Sequence, residues 1–273
     1  MTVPRNKRAG LLERIVFLFS FFLFTFYLTS LSPFSFFLVA QSTQFGVVRL
    51  KVRYKSSEGT KDLPRKRFFL IKGSIDQNSA LIEKIKQTSL ASLECYYRSH
   101  GASQALIKWL KANDCESVYC REMEDKYLSG AEAVPEFQKA FEQALNELKN
   151  REVARRWLTS YLPAEIRSGF YDEKQKTIQA LLSGTEATTR AKVMSIMTDR
   201  KGTGYLTNIE PGTYTISNVV ASETDKTSIV WICEREVKAT DLGTAMKRPM
   251  MLSNEADPKV KCEVIERPLA ACN

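Results

Sequence analysis

The chain of 273 residues contains one histidine, His100, and no Cys-x-x-Cys pair, so the usual imidazole and thiolate ligand sets for a metal are missing. No serine sits in a Gly-x-Ser-x-Gly elbow, which removes the commonest sequence mark of a serine hydrolase. No internal repeat or low-complexity segment appears in the helical stretch after Ile75. Cysteine is present, but in an even count of six, at 95, 115, 120, 233, 262 and 272. An even set reads first as disulfides and argues against the free thiol that cysteine catalysis needs. No cofactor is expected from this inventory.

What is present begins with an export-type segment. Arg5, Lys7, Arg8 and Arg14 precede an uncharged run from Ile15 to Ala40 that is mostly Phe and Leu. A basic stretch followed by an apolar one is an export signal. Leu38-Val39-Ala40 before Gln41 resembles a cleavage site, yet the run is also long enough to span a bilayer, which takes about 20 residues. Residues 1–40 are therefore a signal peptide or an N-terminal membrane anchor, and either places the rest outside the cytoplasm, periplasmic or extracellular. Without them the net charge falls from +9 to +6, since four basic residues leave with Glu13. That excess permits an anionic surface as a partner without demanding one, and no nucleic acid is expected.

The sequence VRLKVRYK, Val48 to Lys55, alternates strictly, as a half-buried strand with one basic face does. Arg49, Lys51, Arg53 and Lys55, with Arg65, Lys66 and Arg67 close by, form the densest basic surface of the mature chain. It is a candidate interaction surface for an acidic polymer or lipid headgroups; the alternative is a strand that keeps its outer face soluble. Ser56 to Asp62 reads as a polar turn, and Arg67 to Lys72 as a second strand. A 3.6-residue period then runs from Leu81 through Leu93 toward Tyr97. Ser103 can cap the next helix, Cys115 to Leu128 suggests another, and Val134-Pro135 is a sound helix start. The stripe of Phe137, Phe141, Leu145 and Leu148 continues toward Trp157. Trp109, Trp157 and Trp231 all fall in apolar patterns and are expected in the core. Strand character returns at Val193 and persists to Ile265.

The stretch TDRKGTGYLTNIEPGTYTISN, Thr198 to Asn218, carries the densest punctuation. Asp199 to Gly202 is a turn, because Asp bonds its own backbone and Gly supplies positive φ. Glu210-Pro211-Gly212 has Pro and Gly placed for a second turn. The two turns predict a hairpin, with Tyr214 and Ile216 pointing inward.

These residues resemble the carboxypeptidase regulatory-like domain, a transthyretin-like seven-stranded β-sandwich. The resemblance rests on Thr198-Asp199, Gly202 or Gly204, Tyr205, Ile209, Pro211-Gly212-Thr213-Tyr214 and Ile216. It implies an antiparallel β-sandwich; the helical stretch from about Asp76 to Lys192 departs from that pattern, and a large α-helical insertion between early strands accounts for it, which makes the chain α+β. The sandwich would then take residues 46–75 and 193–267, the insertion 76–192 and a tail 268–273; alternatively, the first strands belong elsewhere. If the insertion is separable, its removal should leave a soluble β-protein. The resemblance also implies an accessory module with no catalytic residues of its own.

Other candidate chemistry is thin. His100 at a helix end could be a general base, but a helix C-terminal His favoured by the dipole is the plainer account. Glu116, Glu122, Glu124 and Asp125 could supply a carboxylate pair for glycoside hydrolysis, or simply a solvated helix face. The function expected is a non-enzymatic binding or structural protein of the cell envelope, its partner an unknown protein or envelope polymer. The rivals are an envelope hydrolase with its site in the helices and the external domain of an anchored sensor or transport component.

The cysteines split three and three between the helical part and the C-terminal strands, so full oxidation within one chain requires at least one bridge between the parts. Cys233 and Cys262, central in two strands, are a natural pair. Antiparallel helices would bring Cys120 level with Cys95, which leaves Cys115 for Cys272.

Overall fold

In the computed structural model, residues 46–113, 123–189, 193–224, 227–242, 249–255, 260–269 and 271–272 are described. The proposed signal or anchor, Cys115, Cys120, Glu116 and Glu122 lie outside them. Residues from Gln44 onward form one compact α+β unit.

Among the described residues, ten strands build two sheets. β1 (Gly46–Ser56) is the hub of the smaller sheet. It pairs antiparallel with β2 (Gly59–Asp62) and β5 (Thr203–Ile209), and parallel with β9 (Met250–Leu252). The larger sheet runs β10 (Cys262–Pro268), β8 (Thr227–Val237), β6 (Gly212–Ser217), β3 (Arg67–Lys72), β4 (Met194–Met197), with β7 (Ser222–Glu223) also on β8. Every pairing in it is antiparallel.

The two sheets share one core. Val48, Leu50 and Val52 from β1 and Leu206 and Ile209 from β5 meet Phe68, Leu70, Ile216, Trp231 and Cys233 of the larger sheet. The strict alternation of β1 therefore puts its apolar half inside and its basic half outside, as the pleat requires. The structure adds β2, read above as part of a turn. All four of its residues are exposed, so no apolar pattern marked it.

The larger sheet is also covered on its other face. Phe69 and Ile71 of β3 and Val230 and Ile232 of β8 pack against α1 (Ser79–Gln87) through Leu81, Ile82 and Ile85. The same layer includes Ile178 and Leu182 of α6 (Phe170–Thr189). This corrects the idea of a separable insertion: removing these helices would uncover a continuous apolar face. β3 runs directly beside β4, the strand that follows the helices, so the chain leaves and re-enters the sheet at neighbouring strands.

The remaining helices make their own core. α2 (Leu93–Ser99), α3 (Gln104–Asn113), α4 (Pro135–Leu148) and α5 (Arg151–Arg156) contribute Tyr97, Leu106, Trp109, Phe137, Ala144 and Ala154. The expected period from Leu81 to Tyr97 is broken between Gln87 and Leu93. Ser92 caps α2 by accepting the Cys95 N–H at 3.2 Å. Ser103 does the same for α3, accepting from Leu106 N at 3.1 Å. α4 starts with Pro at its first turn, as expected, but stops at Lys149, whose φ of 52° is left-handed. That break shifts the phase of the next helix, and Trp157, expected in the core, is 59% exposed.

Candidate functional site

The basic residues singled out in the sequence fall into two groups. Arg49, Lys51, Arg53 and Lys55 project from the outer face of β1, where their charge is largely answered. Lys51 Nζ sits 2.6 Å from Asp62 and Arg53 3.4 Å from the same carboxylate. Asp62, delivered by β2, is held below the usual carboxylate range, first by the hydrogen bond from Lys51. Lys55 pairs with Glu255 at 2.7 Å, which raises the lysine pKa. The Arg49 guanidinium lies over the Tyr205 ring, 6.0 Å from its centroid. Tyr205 is 49% exposed and faces outward.

The second group sits elsewhere. Arg65, in a left-handed conformation, donates to the Asn113 carbonyl at 3.2 Å. Lys66 is buried. Arg67 reaches Ser195 Oγ at 3.4 Å. The seven residues therefore do not form one continuous cationic strip.

The Thr198–Asn218 stretch proves to be a pair of corners between the sheets. β4 lies in the larger sheet, β5 in the smaller and β6 in the larger again. Thr198 is buried, donates through Oγ1 to the Leu63 carbonyl at 2.8 Å and accepts the Lys66 N–H at 3.0 Å. Asp199 Oδ1 accepts the N–H groups of Lys201 and Thr203 at 2.8 and 2.9 Å, so its side chain organises the turn. Gly202 has φ +65°, and a Cβ there would lie 2.6 Å from the Val52 carbonyl oxygen. At the second corner Tyr214 is buried and donates its hydroxyl to the Glu210 carbonyl, four residues back, at 2.9 Å. β5 and β6 do not pair, which overturns the expected hairpin. A Pro-Gly turn serves either connection; here it carries the chain across the core, and the tyrosine pins it, with a hydroxyl-to-backbone bond of the kind found at the tyrosine corner of immunoglobulin-type domains.

Among the acidic candidates, Glu124 pairs with Lys126 at 3.3 Å and Asp125 with Arg151 at 3.2 Å, which is how a solvated surface arranges its charges. His100 caps α2: Nδ1 donates to the Tyr96 carbonyl at 2.8 Å, and the ring stacks on Tyr96 at 4.2 Å between centroids. Trp109 and Trp231 are buried.

Two polar residues, Glu223, half-buried, and Asn218, buried, were not foreseen. Glu223 on β7 accepts the Leu93 N–H at 2.6 Å and so ties the sheet to the start of α2. Burial pushes its pKa up, against that hydrogen bond and the nearby Lys174, Lys66 and Lys111. Asn218 accepts from Trp231 N at 2.9 Å and donates to the Ile229 carbonyl at 2.8 Å and Ser222 Oγ at 3.1 Å. It thus stands in for strand backbone between β6 and β7. Val219 beside it holds φ 61°, which β-branched residues rarely adopt. Neither residue carries a periodicity or motif that sequence reading could use.

The disulfides differ in part from expectation. Cys233–Cys262 is present and joins residues directly opposite each other on β8 and β10. Cys95 bonds to Cys272, with 5.0 Å between Cα atoms, which rules out both Cys95–Cys120 and Cys115–Cys272. A bridge from helices to C-terminal tail exists, but it starts from α2. Disulfides of this kind belong to chains that fold in an oxidising compartment. Among the described residues, no helix is long and apolar enough to cross a membrane.

No protein-family model matches the chain, and no curated protein matches it significantly. Among solved structures, the pilus backbone protein RrgB of Streptococcus pneumoniae is similar at 11% identity and a TM-score of 0.24. The likeness covers 77% of this chain and 41% of that one, so this chain spans well under half of that protein. Likeness at this level supports no statement about what this chain does.

Proposed function

We propose that this chain is an exported, non-enzymatic protein of the cell envelope, a rigid body that binds a partner or serves a structural role. The observation that carries the reading is the apolar core shared by the larger sheet with α1 and α6, to which the Cys95–Cys272 bridge adds a tie between α2 and the C-terminal tail. A fixed relation between two layers suits a preorganised surface, because little ordering remains to be done on binding. The oxidising compartment that such bridges need agrees with the basic and apolar N-terminal segment. The finer fold reading, a transthyretin-like sandwich of the carboxypeptidase regulatory-like kind, draws support from the Thr198–Asp199 and Pro211–Tyr214 corners. The outer face of β1, with Arg49 and Tyr205, is the surface to test first against envelope polymers.

Cell fractionation with non-reducing peptide mapping tests the reading. The expected result is a protein outside the cytoplasm that starts at Gln41 or retains its N-terminal segment, with the Cys95–Cys272 peptide linked. A cytosolic protein with those thiols free overturns it.

A further inference from the structure

β10 is the outermost strand of the larger sheet, and its own packing is poor. Val264 and Ile265 are half-buried, while Glu263, Glu266, Arg267 and Pro268 are exposed. Its side-chain links are surface ones, such as Lys86 with Glu263 at 2.9 Å and Thr227 with Glu266 at 3.0 Å. Exposed pairs of this kind stabilise little. β8 beneath it is the opposite: Ile229, Val230, Trp231, Ile232 and Cys233 are all buried. Uncovered, β8 would present a ladder of unpaired backbone groups along an apolar strand, the feature most prone to recruit another strand.

The two disulfides bracket this weak strand. Cys262 at its start bonds to Cys233 across the ladder, and Cys272, four residues past its end, bonds to Cys95 on α2. We propose that β10 is a disulfide-latched strand. Closed, the two bridges keep β8 sealed; when both are opened by a dithiol reductant, β10 leaves and β8 pairs with the β10 of a second copy. Seven consecutive residue pairs, Cys262 with Cys233 through Pro268 with Thr227, define the register that the incoming strand would reuse.

Each opening is an ordinary exchange. A thiolate of the dithiol attacks one sulfur, the other leaves as a thiolate and takes up a proton, and the second thiol of the reductant displaces the first protein sulfur. Two electrons and two protons pass to each bridge, giving two cysteine thiols and one oxidised reductant. Cys262, Cys95 and Cys272 are half-exposed and Cys233 is fully buried, so the outer bridge, which can be attacked at either sulfur and can release either one, opens first. That step alone frees the tail and leaves β10 held at Cys262.

The test compares the full chain with three variants by hydrogen exchange: Cys95→Ser with Cys272→Ser, Cys233→Ser with Cys262→Ser, and all four changes together. The amides of β10 should stay protected in either pair variant and, in the fourfold variant diluted until it is monomeric, exchange roughly a hundredfold faster, on the scale at which a disulfide stabilises. Amides of β1 and β6 should not change; when concentrated, the fourfold variant should run as a dimer in size-exclusion chromatography and its β10 amides should regain protection. In the wild-type chain, dithiothreitol followed by alkylation should label Cys95 and Cys272 before Cys233 and Cys262. Unchanged β10 protection in the diluted fourfold variant, or its loss in one pair variant, overturns the latch. Loss spread evenly over β1 and β6 overturns it too, because the bridges would then hold the whole fold. A fourfold variant that stays monomeric when concentrated overturns the pairing with a second copy, and the reverse labelling order overturns the sequence of opening.

Discussion

β1 and β8 are both eleven residues long, yet they have opposite surroundings. β1 belongs to the outer sheet and buries one face; its other face carries Arg49, Lys51, Arg53 and Lys55. β8 lies in the middle layer and is packed on both faces, with Trp231 toward the smaller sheet and Val230 and Ile232 toward the helices. The contrast teaches that alternation of charge and apolarity records the position of a layer and not merely the presence of a strand. A strand that alternates has water on one side, and a strand that reads IVWIC has protein on both.

The sharpest way to break the comparison is truncation inside the middle layer. Trp231 is fully buried and meets Phe68 edge-on at 5.8 Å between centroids. Trp231→Ala should cost about 3–5 kcal/mol, as large-to-small core changes do. Arg53→Ala, on the exposed face of β1, should cost no more than about 0.5 kcal/mol. Denaturant unfolding of both variants checks the difference, and similar midpoints would mean that β8 is not the core strand described here.

Asn218 sharpens the same point, because β8 needs a partner even where β6 has ended. The side chain supplies the acceptor for Trp231 N–H and the donor for the Ile229 carbonyl. Asn218→Ala leaves both buried backbone groups unpaired and should cost about 2–3 kcal/mol. Asn218→Asp keeps the acceptor and loses the donor, so it should fall below wild type at neutral pH. Equal stability of the alanine variant and the wild type would refute the ladder role.

These two residues also mark the limit of what the sequence could show. The strands β1, β3 and β8, the capping Ser103 and the helix start at Pro135 were legible because local pattern decides them. The two corners were legible as turns but not as crossings, since a Pro-Gly turn serves a hairpin and a sheet-to-sheet corner alike. Trp157 was misplaced because a single left-handed residue, Lys149, resets the helical phase. Odd cysteine groups implied a bridge between the two parts, but local helix geometry could not select Cys95 as its donor. Glu223 and Asn218 left no local trace; only the assembled sheet gives them partners. Of the candidate surface, the charges could be read directly, whereas the acids that answer them, Asp62 and Glu255, come from β2 and the segment after β9.

Between the layers, the Tyr214 hydroxyl donates to the Glu210 carbonyl and pins one of the crossings. Tyr214→Phe removes that bond and little packing, so it should cost about 1 kcal/mol. Tyr214→Ala should cost about three times as much, because the ring is buried in the shared core. If the phenylalanine variant lost as much as the alanine variant, the hydroxyl rather than the ring would be holding the corner.

The smallest effect belongs to the outer face of β1. Asp62 is held below the ordinary carboxylate range, chiefly by the hydrogen bond from Lys51 and further by the Lys51 and Arg53 charges, with burial working the other way. Its folded pKa is therefore lower than its unfolded one. The sign follows: the contribution is present above the unfolded value near 4 and is lost as pH falls through the folded value. The Asp62 side chain is 39% exposed and that of Arg53 49%, so solvent screening holds the whole contribution to about 0.5 kcal/mol or less. Asp62→Asn should lower stability by that amount at pH 7 and not at all once pH has fallen below the folded pKa. At 1 M salt, where the screening length is about 3 Å, the difference at pH 7 should shrink further. An Asp62→Asn penalty that persists in acid and in salt would show that β2 holds its place by packing or backbone pairing and not by the charge it brings to β1.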